Sequence, residues 1–340
     1  MIVRCWLLIL LSFALFATAA PAAFIRGHSY VAVADWAAAN GFHPLARSRG
    51  AFTWTNRSSR LTLEKDSHTA QINGVNVALA FPVALEKGTP FVAQLDLAKT
   101  IEPLMFTPRF AGKRIFTIVL DPGHGGKDAG NHVGYHAEKD YTLALAGALR
   151  AQLTNAGFNV LLTRSGDKYV ELDARPDLAN RRGADLFVSL HFNATEAGKS
   201  EVNGPETYCI TPVGAASSNA QGEGANHGAC LANRVENKSL LLAYLVQKSL
   251  VRTLGGPDRS VRRARFAVLR DATMPAILVE SGYMTHPSEG RRIFDAGYRR
   301  LIASAIAHGI INYQQLTAVP MTSKPKPAAS RSAARAKSGK

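Results

Sequence analysis

Residues 115–126 read Ile-Phe-Thr-Ile-Val-Leu-Asp-Pro-Gly-His-Gly-Gly, an apolar run followed by a glycine-rich turn. The apolar half predicts a buried strand, and the turn places His124 directly behind it. In open α/β sheets, ligands bind at the carboxyl ends of strands, where glycines let the backbone turn tightly and leave space around a side chain. The stretch therefore predicts a sheet with a candidate site at His124, although a single histidine beside glycines is more commonly a loop residue.

The sequence that follows alternates between helix and strand patterns. Residues 138–155 predict a helix, because leucines recur every four residues and Gly157 stands beyond its end. Further strands are predicted at 158–163, 185–190, 266–269 and 276–279, and further helices from about residue 175, at 240–254 and at 288–313. The alternation predicts an α/β domain over residues 114–316, with a mostly parallel or mixed sheet flanked by helices on both faces.

A small α+β domain is predicted over residues 24–108. Short β-rich runs surround the turn Asn73-Gly74, which is typical of a hairpin, and Asp35 is expected to cap a short helix that ends at Gly41. The segment contains no cluster of titratable residues that would mark a catalytic site. Its pattern resembles the copper-amine-oxidase N-terminal-like domains appended to secreted bacterial proteins, which implies binding to the cell wall or to a partner.

The first 23 residues are typical of a signal peptide. Arg4 precedes an apolar stretch at 5–16 and then a run of small residues, and the stretch is too short to span a bilayer comfortably. An uncleaved N-terminal anchor is the alternative. Both interpretations predict an exported protein, either periplasmic or secreted.

The net charge of +15 is concentrated partly in the C-terminal tail. Residues 317–340 include six Lys or Arg between 324 and 340 and no acid there, which predicts a disordered basic tail. In an exported protein, such a tail is expected to bind anionic cell-envelope polymers rather than nucleic acid. The alternative is a tail that only adds solubility.

Two cysteines, Cys209 and Cys230, remain once the signal peptide with Cys5 is removed. A disulfide between them would close a loop of about 20 residues and stabilise the fold by roughly 3 kcal/mol in the chain-entropy model. Sequence spacing does not show whether their Cα atoms approach closely enough, so two free thiols are the alternative.

Four residues that can carry chemistry fall at the ends of the predicted elements. His124 and His191 follow strands, Glu138 opens a helix, and Glu280 ends another strand. If these strands are parallel neighbours, two imidazoles and a carboxylate converge as a His2Glu set, which is typical of a catalytic zinc site with an open position. Each residue also has an ordinary interpretation: Glu138 as a first-turn carboxylate, His191 as a core histidine and Glu280 as a turn residue.

A zinc ion would explain why the other residue types are present. Zinc lowers the pKa of bound water from about 16 to near 7. A second carboxylate outside the ligand set can then accept a proton and pass it to a leaving amine, a contribution of roughly 100- to 10,000-fold. The pattern therefore predicts metal-assisted hydrolysis, most naturally of an amide.

Six short motifs share their order and spacing with one family. They are Asp-Pro-Gly-His-Gly-Gly from Asp121, Glu-Lys-Asp from Glu138, Leu-Thr-Arg from Leu162, Ser-Leu-His-Phe-Asn from Ser189, Gly-Pro-Glu-Thr-Tyr from Gly204, and Met-Pro-Ala-Ile-Leu-Val-Glu-Ser-Gly-Tyr from Met274. Over residues 115–313 the chain resembles the zinc-dependent N-acetylmuramoyl-L-alanine amidases of the amidase-3 type. The resemblance implies one zinc ion on His124, Glu138 and His191, Glu280 as catalytic carboxylate, and cleavage of the amide between N-acetylmuramic acid and L-alanine in peptidoglycan.

The sequence offers further candidates for the surroundings of this site. Asn193 and the arginines Arg259 and Arg262 are tentative contacts for the substrate and its peptide carboxylates, with a basic surface loop as the alternative for the arginines. His132 and His136 precede Glu138 and are expected to be loop residues rather than ligands. Residues 211–237 are rich in Gly, Ala, Ser and Asn and predict a loop rather than an inhibitory helix; no activator protein is identified.

Two other functions fit parts of the pattern. A zinc peptidase would cut within the peptide stem, and the identity of the newly freed amine separates it from an amidase. A non-catalytic protein that binds the wall or recruits hydrolases would use the N-terminal domain and the basic tail. The presence of all four site residues argues against an inactive protein.

Overall fold

The computed structural model describes residues 22–45, 50–106, 115–218 and 228–317. The predicted signal peptide lies outside these residues except for its last two positions. The predicted basic tail lies outside them after residue 317. Within the described ranges, no helix is long and apolar enough to cross a membrane.

The N-terminal unit, residues 22–106, consists mainly of short strands. The strands are β1 (Ala22–Ile25), β2 (His28–Ala32), β3 (His43–Pro44), β4 (Ala51–Thr55), β5 (Arg60–Glu64), β6 (Thr69–Ile72), β7 (Val75–Ala78), β8 (Ala84–Glu86) and β9 (Thr89–Ala93). The helices are α1 (Val33–Ala39), α2 (Gln94–Asp96) and α3 (Glu102–Met105), with a π-helical stretch Leu97–Ile101 before α3. The predicted hairpin is present, since Asn73 and Gly74 join β6 to β7 with positive φ angles of 49° and 83°.

The second unit, residues 115–317, alternates strands and helices. Its strands are β10 (Thr117–Pro122), β11 (His132–Val133), β12 (His136–Ala137), β13 (Asn159–Leu162), β14 (Leu186–Asn193), β15 (Glu206–Cys209), β16 (Val261–Arg263) and β17 (Ala276–Tyr283). Its helices are α4 (Glu138–Asn155), α5 (Ala174–Arg181), α6 (Glu236–Leu254), α7 (Ala267–Arg270), α8 (Pro287–Phe294) and α9 (Ala296–Thr317), with a 3-10 turn Leu231–Val235 before α6.

One mixed sheet of 11 strands organises both units, in the order β13-β10-β14-β17-β15-β16-β7-β6-β5-β4-β3. Strands β13, β10, β14 and β17 are parallel, and β15 runs antiparallel to β17. Because side chains alternate between the faces of a strand, Ile118 and Leu120 pack with the core that α4, α6 and α9 cover, whereas Val119 packs with the core under α5 and α7. The predicted α/β fold, with helices on both faces of the sheet, is confirmed.

The two units are joined edge to edge through β7 and β16. Val77 pairs with Val261 in a parallel ladder, and both side chains belong to the core that α6 covers. Helix α6 spans this junction, where the hydroxyl of Tyr244 donates to the carbonyl of Ile72 at 3.1 Å. Arg263 Nη2 makes a further hydrogen bond across the junction, because it donates to the Lys99 carbonyl at 2.6 Å. The N-terminal strands therefore extend the catalytic sheet and share its core.

Three predictions differ from the structure. Asp35 was expected to cap the first short helix, but α1 begins at Val33 and Asp35 lies within its first turn. Residues 266–269 were expected to form a strand, but Ala267–Arg270 is the short helix α7, which buries Val268 and Leu269. Periodicity does not separate a strand from a helical turn in so short an apolar run. The single C-terminal helix is two helices, because Asp295 has extended backbone and its carboxylate accepts the Tyr298 N–H at 2.8 Å, as an N-cap does.

Candidate metal centre

The turn after β10 holds His124 in an unusual backbone conformation. Its φ angle is +62°, a left-handed value that few residues other than glycine adopt. Two buried arginines fix the turn by its carbonyl groups: Arg175 donates to His124 O at 3.0 Å, and Arg164 donates to Gly123 O at 2.8 Å. Residues held in such conformations concentrate at functional sites, where the surrounding structure enforces them.

A buried polar cluster anchors the same turn from below. Asp121 is fully buried and forms an ion pair with Arg175 at 2.8 Å. The hydroxyls of Thr163 and Ser189 donate to its two carboxylate oxygens at 2.6 and 2.8 Å. We did not predict this cluster from the sequence. An arginine shortly after an apolar strand, as Arg164 is, is a signal that could have revealed the neighbouring contact between Arg164 and the turn.

Three side chains converge above this turn. Glu138 is the first residue of α4, where its carboxylate also lies at the positive end of the helix dipole. Its Oε2 lies 3.1 Å from His124 Nε2, and its Oε1 lies 3.0 Å from His191 Nδ1. One ligand atom from each of the three residues lies within 4.8 Å of the others. The structure thus brings together the two imidazoles and one carboxylate that the sequence analysis singled out.

Glycines make room for the three side chains. A Cβ atom at Gly123 would lie 2.3 Å from the His191 ring, and one at Gly130 would lie 2.6 Å from the His124 ring and 2.7 Å from Glu138 Oε2. Such distances are far shorter than van der Waals contact. The donor set of two imidazoles and one carboxylate fits a small cation such as zinc, and the two glycines leave room for the side chains that would hold it.

Further side chains orient these candidate ligands. Asp128 Oδ2 lies 2.9 Å from His124 Nδ1, which leaves Nε2 of that ring directed at Glu138. Asn131 donates from its side chain to Glu138 Oε2 at 2.8 Å, and the backbone N–H of Phe192 donates to Oε1 at 3.1 Å. Burial opposes the charge on Glu138, but hydrogen bonds from the two histidines outweigh it and lower the pKa of this carboxyl. These supporting residues lie outside the quoted motifs or were given no role in the sequence analysis.

Glu280 lies next to this centre on β17. It pairs with His191 of β14 on one side and with Glu206 of β15 on the other. Its Oε2 is buried and has no hydrogen-bond partner within the described residues. Burial, followed by the charges of Glu138 and Glu206, raises the pKa of Glu280 well above its usual value. A buried carboxyl group beside a candidate metal centre is suited to proton transfer.

The three residues that were predicted to contact substrate all lie beside one buried carboxylate, Glu206. Asn193 donates to its Oε1 at 2.6 Å, and Arg262 donates to its Oε2 at 3.1 Å. Arg259 is 3.9 Å from the same Oε2 and lies over the ring of Tyr283, with 5.0 Å between the guanidinium carbon and the ring centre. We did not assign Glu206 a role from the sequence, because a strand residue shows its partners only once strand register is known.

The two other histidines near the site lie outside the cluster. His132 and His136 belong to the small hairpin β11–β12. The ring of His136 stacks on Phe294 at 3.7 Å and hydrogen-bonds the Tyr141 hydroxyl. Among the described residues, the group that can hold a metal consists of His124, Glu138 and His191.

The predicted disulfide between Cys209 and Cys230 is not formed, and the structure has the alternative of two free thiols. Both cysteines are free thiols, Cys209 buried on β15 and Cys230 at the start of the 3-10 turn. The Cys209 sulfur lies 3.4 Å from Arg263 Nη1, while the Cys230 sulfur hydrogen-bonds Asn233 at 3.2 Å. The two thiols therefore have separate partners.

The predicted loop at 211–237 lies partly outside the described residues, which resume at 228. Its described part consists of an irregular segment with turns up to residue 218, a short irregular stretch at 228–230, the 3-10 turn Leu231–Val235 and the first residues of α6. The conformation of residues 219–227 is not described.

Comparisons with known proteins identify the family of the chain. The family described as N-acetylmuramoyl-L-alanine amidase, Amidase_3, matches residues 118–312. The chain is 35% identical over 226 residues to N-acetylmuramoyl-L-alanine amidase AmiA of Escherichia coli K12, covering 59% of this chain and 76% of that protein. The solved structure of the amidase AmiC2 of Nostoc punctiforme is 34% identical with a TM-score of 0.50, and covers 60% of this chain and 99% of that one. An amidase structure from Clostridium difficile 630 is 32% identical, also with a TM-score of 0.50, over 60% of this chain and 98% of that one.

The fold and the site define an α/β protein whose centre brings together two histidines and a glutamate that could hold a metal ion, beside a further carboxylate. The chain belongs to the Amidase_3 family of N-acetylmuramoyl-L-alanine amidases, since the family match spans more than half of its residues. The activity of this family is hydrolysis of the amide between N-acetylmuramic acid and L-alanine in peptidoglycan.

Proposed function

We propose that the protein is a zinc-dependent amidase of peptidoglycan, with His124, Glu138 and His191 holding the metal. The observation that carries this proposal is the approach of three donor atoms to within 4.8 Å beside Glu280. A bound zinc ion would supply an acidified water and polarise the substrate carbonyl. A set of three protein ligands leaves a coordination position for these groups.

Glu280 is the proposed proton carrier. Its Oε2 has no hydrogen-bond partner among the described residues and is therefore free to accept a proton from the attacking water as the new carbon–oxygen bond forms. Glu280 then gives this proton to the nitrogen of L-alanine as the carbon–nitrogen bond breaks. The products are a free lactyl carboxylate on the sugar and a peptide with a free amine. Water is thereby added across the amide, and Glu280 ends in the protonation state in which it began.

Asn193, Arg259 and Arg262 are proposed to position the substrate. All three contact Glu206, so their side chains are oriented before substrate arrives. The planar guanidinium groups suit carboxylates of the peptide stem, with which they can form paired hydrogen bonds. Glu206 itself balances part of their charge.

We also propose that the protein acts outside the cytoplasm. The signal-peptide pattern of residues 1–23 supports export, to the periplasm or the medium, and the substrate lies there. The basic residues after 323 support a further attraction to anionic envelope polymers, and no nucleic acid is expected as a partner. A role of residues 24–108 in wall or partner binding remains a proposal of the same kind.

Product analysis on purified peptidoglycan tests the chemistry. We expect mass spectrometry to find peptides with a free L-alanine amine, and a chelator to abolish their release. Glu280→Gln should lower kcat by about 100-fold or more while zinc stays bound, because the substitution removes the proton carrier and no proposed ligand. Glu201→Gln, on an exposed glutamate, is the matched control. Cuts within the peptide would instead identify a peptidase, and wall binding without products would identify a non-catalytic protein.

A further inference from the structure

A groove crosses the junction between the two units. It encloses a volume of about 700 Å³ and is lined by side chains from both parts of the chain. His68, Thr69 and Asn76 contribute from the N-terminal unit, and Arg259 and Arg262 from the catalytic unit. Since both arginines also contact Glu206, the groove leads to the residue that pairs with Glu280.

Strand register places the groove on the catalytic face of the sheet. Glu280 pairs with Glu206 on β15, and two residues further along that strand Tyr208 pairs with Arg262 on β16. Side chains two residues apart on a strand lie on the same face, and so do side chains of paired residues. Val261 and Val77 pair on the opposite face, which α6 covers. The residues directly before and after Val261 and Val77 face the other side of the sheet, and they therefore line the groove.

The same register continues into the N-terminal unit. Asn76 and Ala78 flank Val77 on β7, and Thr69 on β6 pairs with Ala78. Asp258 fixes the geometry at this point, because its Oδ2 accepts the backbone N–H of Asn76 at 2.7 Å. Its Oδ1 accepts from Gln247 and Ser260 at 2.8 and 2.9 Å, so both of its carboxylate oxygens have hydrogen-bond donors within the junction.

Two guanidinium groups lie at the catalytic end of the groove. Arg259 and Arg262 share one carboxylate partner, Glu206, among the described residues. The Nε of Arg259 is buried and has no hydrogen-bond partner in that part of the chain, with its nearest carboxylate oxygen 3.9 Å away. Guanidinium groups that line a groove favour an anionic ligand, because their planar forks pair with carboxylates.

The length of this face indicates the size of the ligand. Four strand spacings separate β17 from β6 in the order β17-β15-β16-β7-β6, which corresponds to about 19 Å. An extended peptide rises by about 3.3 to 3.6 Å per residue, so roughly five residues span this distance. A ligand whose reacting amide lies at Glu280 would therefore place its far end on the N-terminal unit.

We propose that this groove binds the peptide of the substrate, an extended anionic stem of about five residues, and that the N-terminal unit thereby selects stem length. The inference rests on the proposed amidase function. The first stem residues contact the arginines, and the last contact the side chains at 68 and 69. The N-terminal unit is then one wall of the substrate site, in addition to any role in wall binding.

Stem length and charge together test the proposal. The full chain is assayed on two soluble substrates, a disaccharide with a five-residue stem and the same disaccharide with a two-residue stem. In His68→Glu/Thr69→Glu, two added carboxylates should raise KM for the long stem about tenfold without changing kcat, and should leave the short stem unaffected. His68→Lys should lower KM for the long stem. His43→Glu, on an exposed histidine in β3, three strands beyond β6, should match the wild type.

The outcomes separate the two levels of the argument. A wild type that cleaves both substrates with equal kcat/KM, or a double variant that slows both equally, overturns the groove assignment and leaves the amidase standing. No free L-alanine amine from either substrate would overturn the proposed function and the groove with it. A lower KM in His68→Lys together with a higher KM in the acidic variant supports the groove, since loss of structure would not reverse with the sign of the charge.

Discussion

Glu280 lies directly opposite His191 in the register of two parallel strands, β17 and β14. The distance between a proposed metal ligand and the proposed proton carrier is therefore set by backbone hydrogen bonds rather than by loops. Sites built on strands hold their side chains more precisely than sites on loops do. This arrangement explains why a small set of glycines and buried arginines is sufficient to complete the centre.

Gly123→Ala is expected to remove metal from the protein. The added methyl group would lie 2.3 Å from the His191 ring, so that ring must leave its position beside Glu138. Metal content measured by atomic spectroscopy after dialysis should fall well below one ion per chain. Gly147→Ala is the control, because its added atom meets nothing within 4 Å and the exposed site on α4 should gain about 1 kcal/mol of helix stability. Full metal content in Gly123→Ala would contradict the proposed ligand set.

Arg175→Ala is expected to destabilise the fold by about 3 to 5 kcal/mol, since it leaves the Asp121 carboxylate buried without its ion-pair partner. Urea denaturation measures the change in the free energy of unfolding. Arg181→Ala, which breaks the exposed pair with Asp177, should cost less than about 1 kcal/mol. Equal effects of the two substitutions would show that the cluster under the turn contributes no more than a surface pair.

Asp128→Asn is expected to weaken metal binding by about 10- to 100-fold without removing a ligand. Asp128 contacts His124 Nδ1 and so favours the tautomer that presents Nε2 to the metal. Competition with a chromogenic chelator measures the affinity, and Asp173→Asn, on an exposed carboxylate outside the site, is the control. Unchanged affinity in Asp128→Asn would show that this carboxylate does not orient the ring.

Asp96 is expected to make stability depend on pH. Burial raises its pKa to about 6, although the N–H groups of Ala80 and Phe81 act against this shift. Between about pH 4 and pH 6 the folded protein keeps a proton that the unfolded chain has lost, so the free energy of unfolding falls as pH rises, by at most about 3 kcal/mol from this group.

Urea denaturation from pH 4 to pH 7 checks this expectation, with Asp96→Asn as the comparison. The free energy of unfolding of the wild type should fall relative to that of the variant as pH rises through this range. Asp66→Asn is the control, because the ion pair with Arg26 lowers the pKa of that exposed carboxyl and its contribution to stability is lost only below about pH 4, so this variant should follow the wild type from pH 4 to pH 7. Parallel pH profiles for the wild type and Asp96→Asn would contradict the shift.

The sequence predicts local features well and register poorly. Helix α4 begins and ends where its leucine spacing indicates, and the mixed sheet follows from the alternation of elements. The role of Glu206 and the pairing of Val77 with Val261 were not predicted, because they depend on contacts between strands far apart in the chain. Helix α7 was mistaken for a strand because an apolar run of four residues fits both structures.

The junction between β7 and β16 also bears on how the catalytic part can be produced alone. A chain that starts at residue 115 would leave β16 with an open hydrogen-bonding edge and would uncover the part of α6 that contacts Ile72. Exposed edges of this kind template pairing between molecules and promote aggregation. The N-terminal strands thus protect this edge, and a proline substitution on β16, which already carries two arginines, is expected to reduce such pairing in a shortened protein.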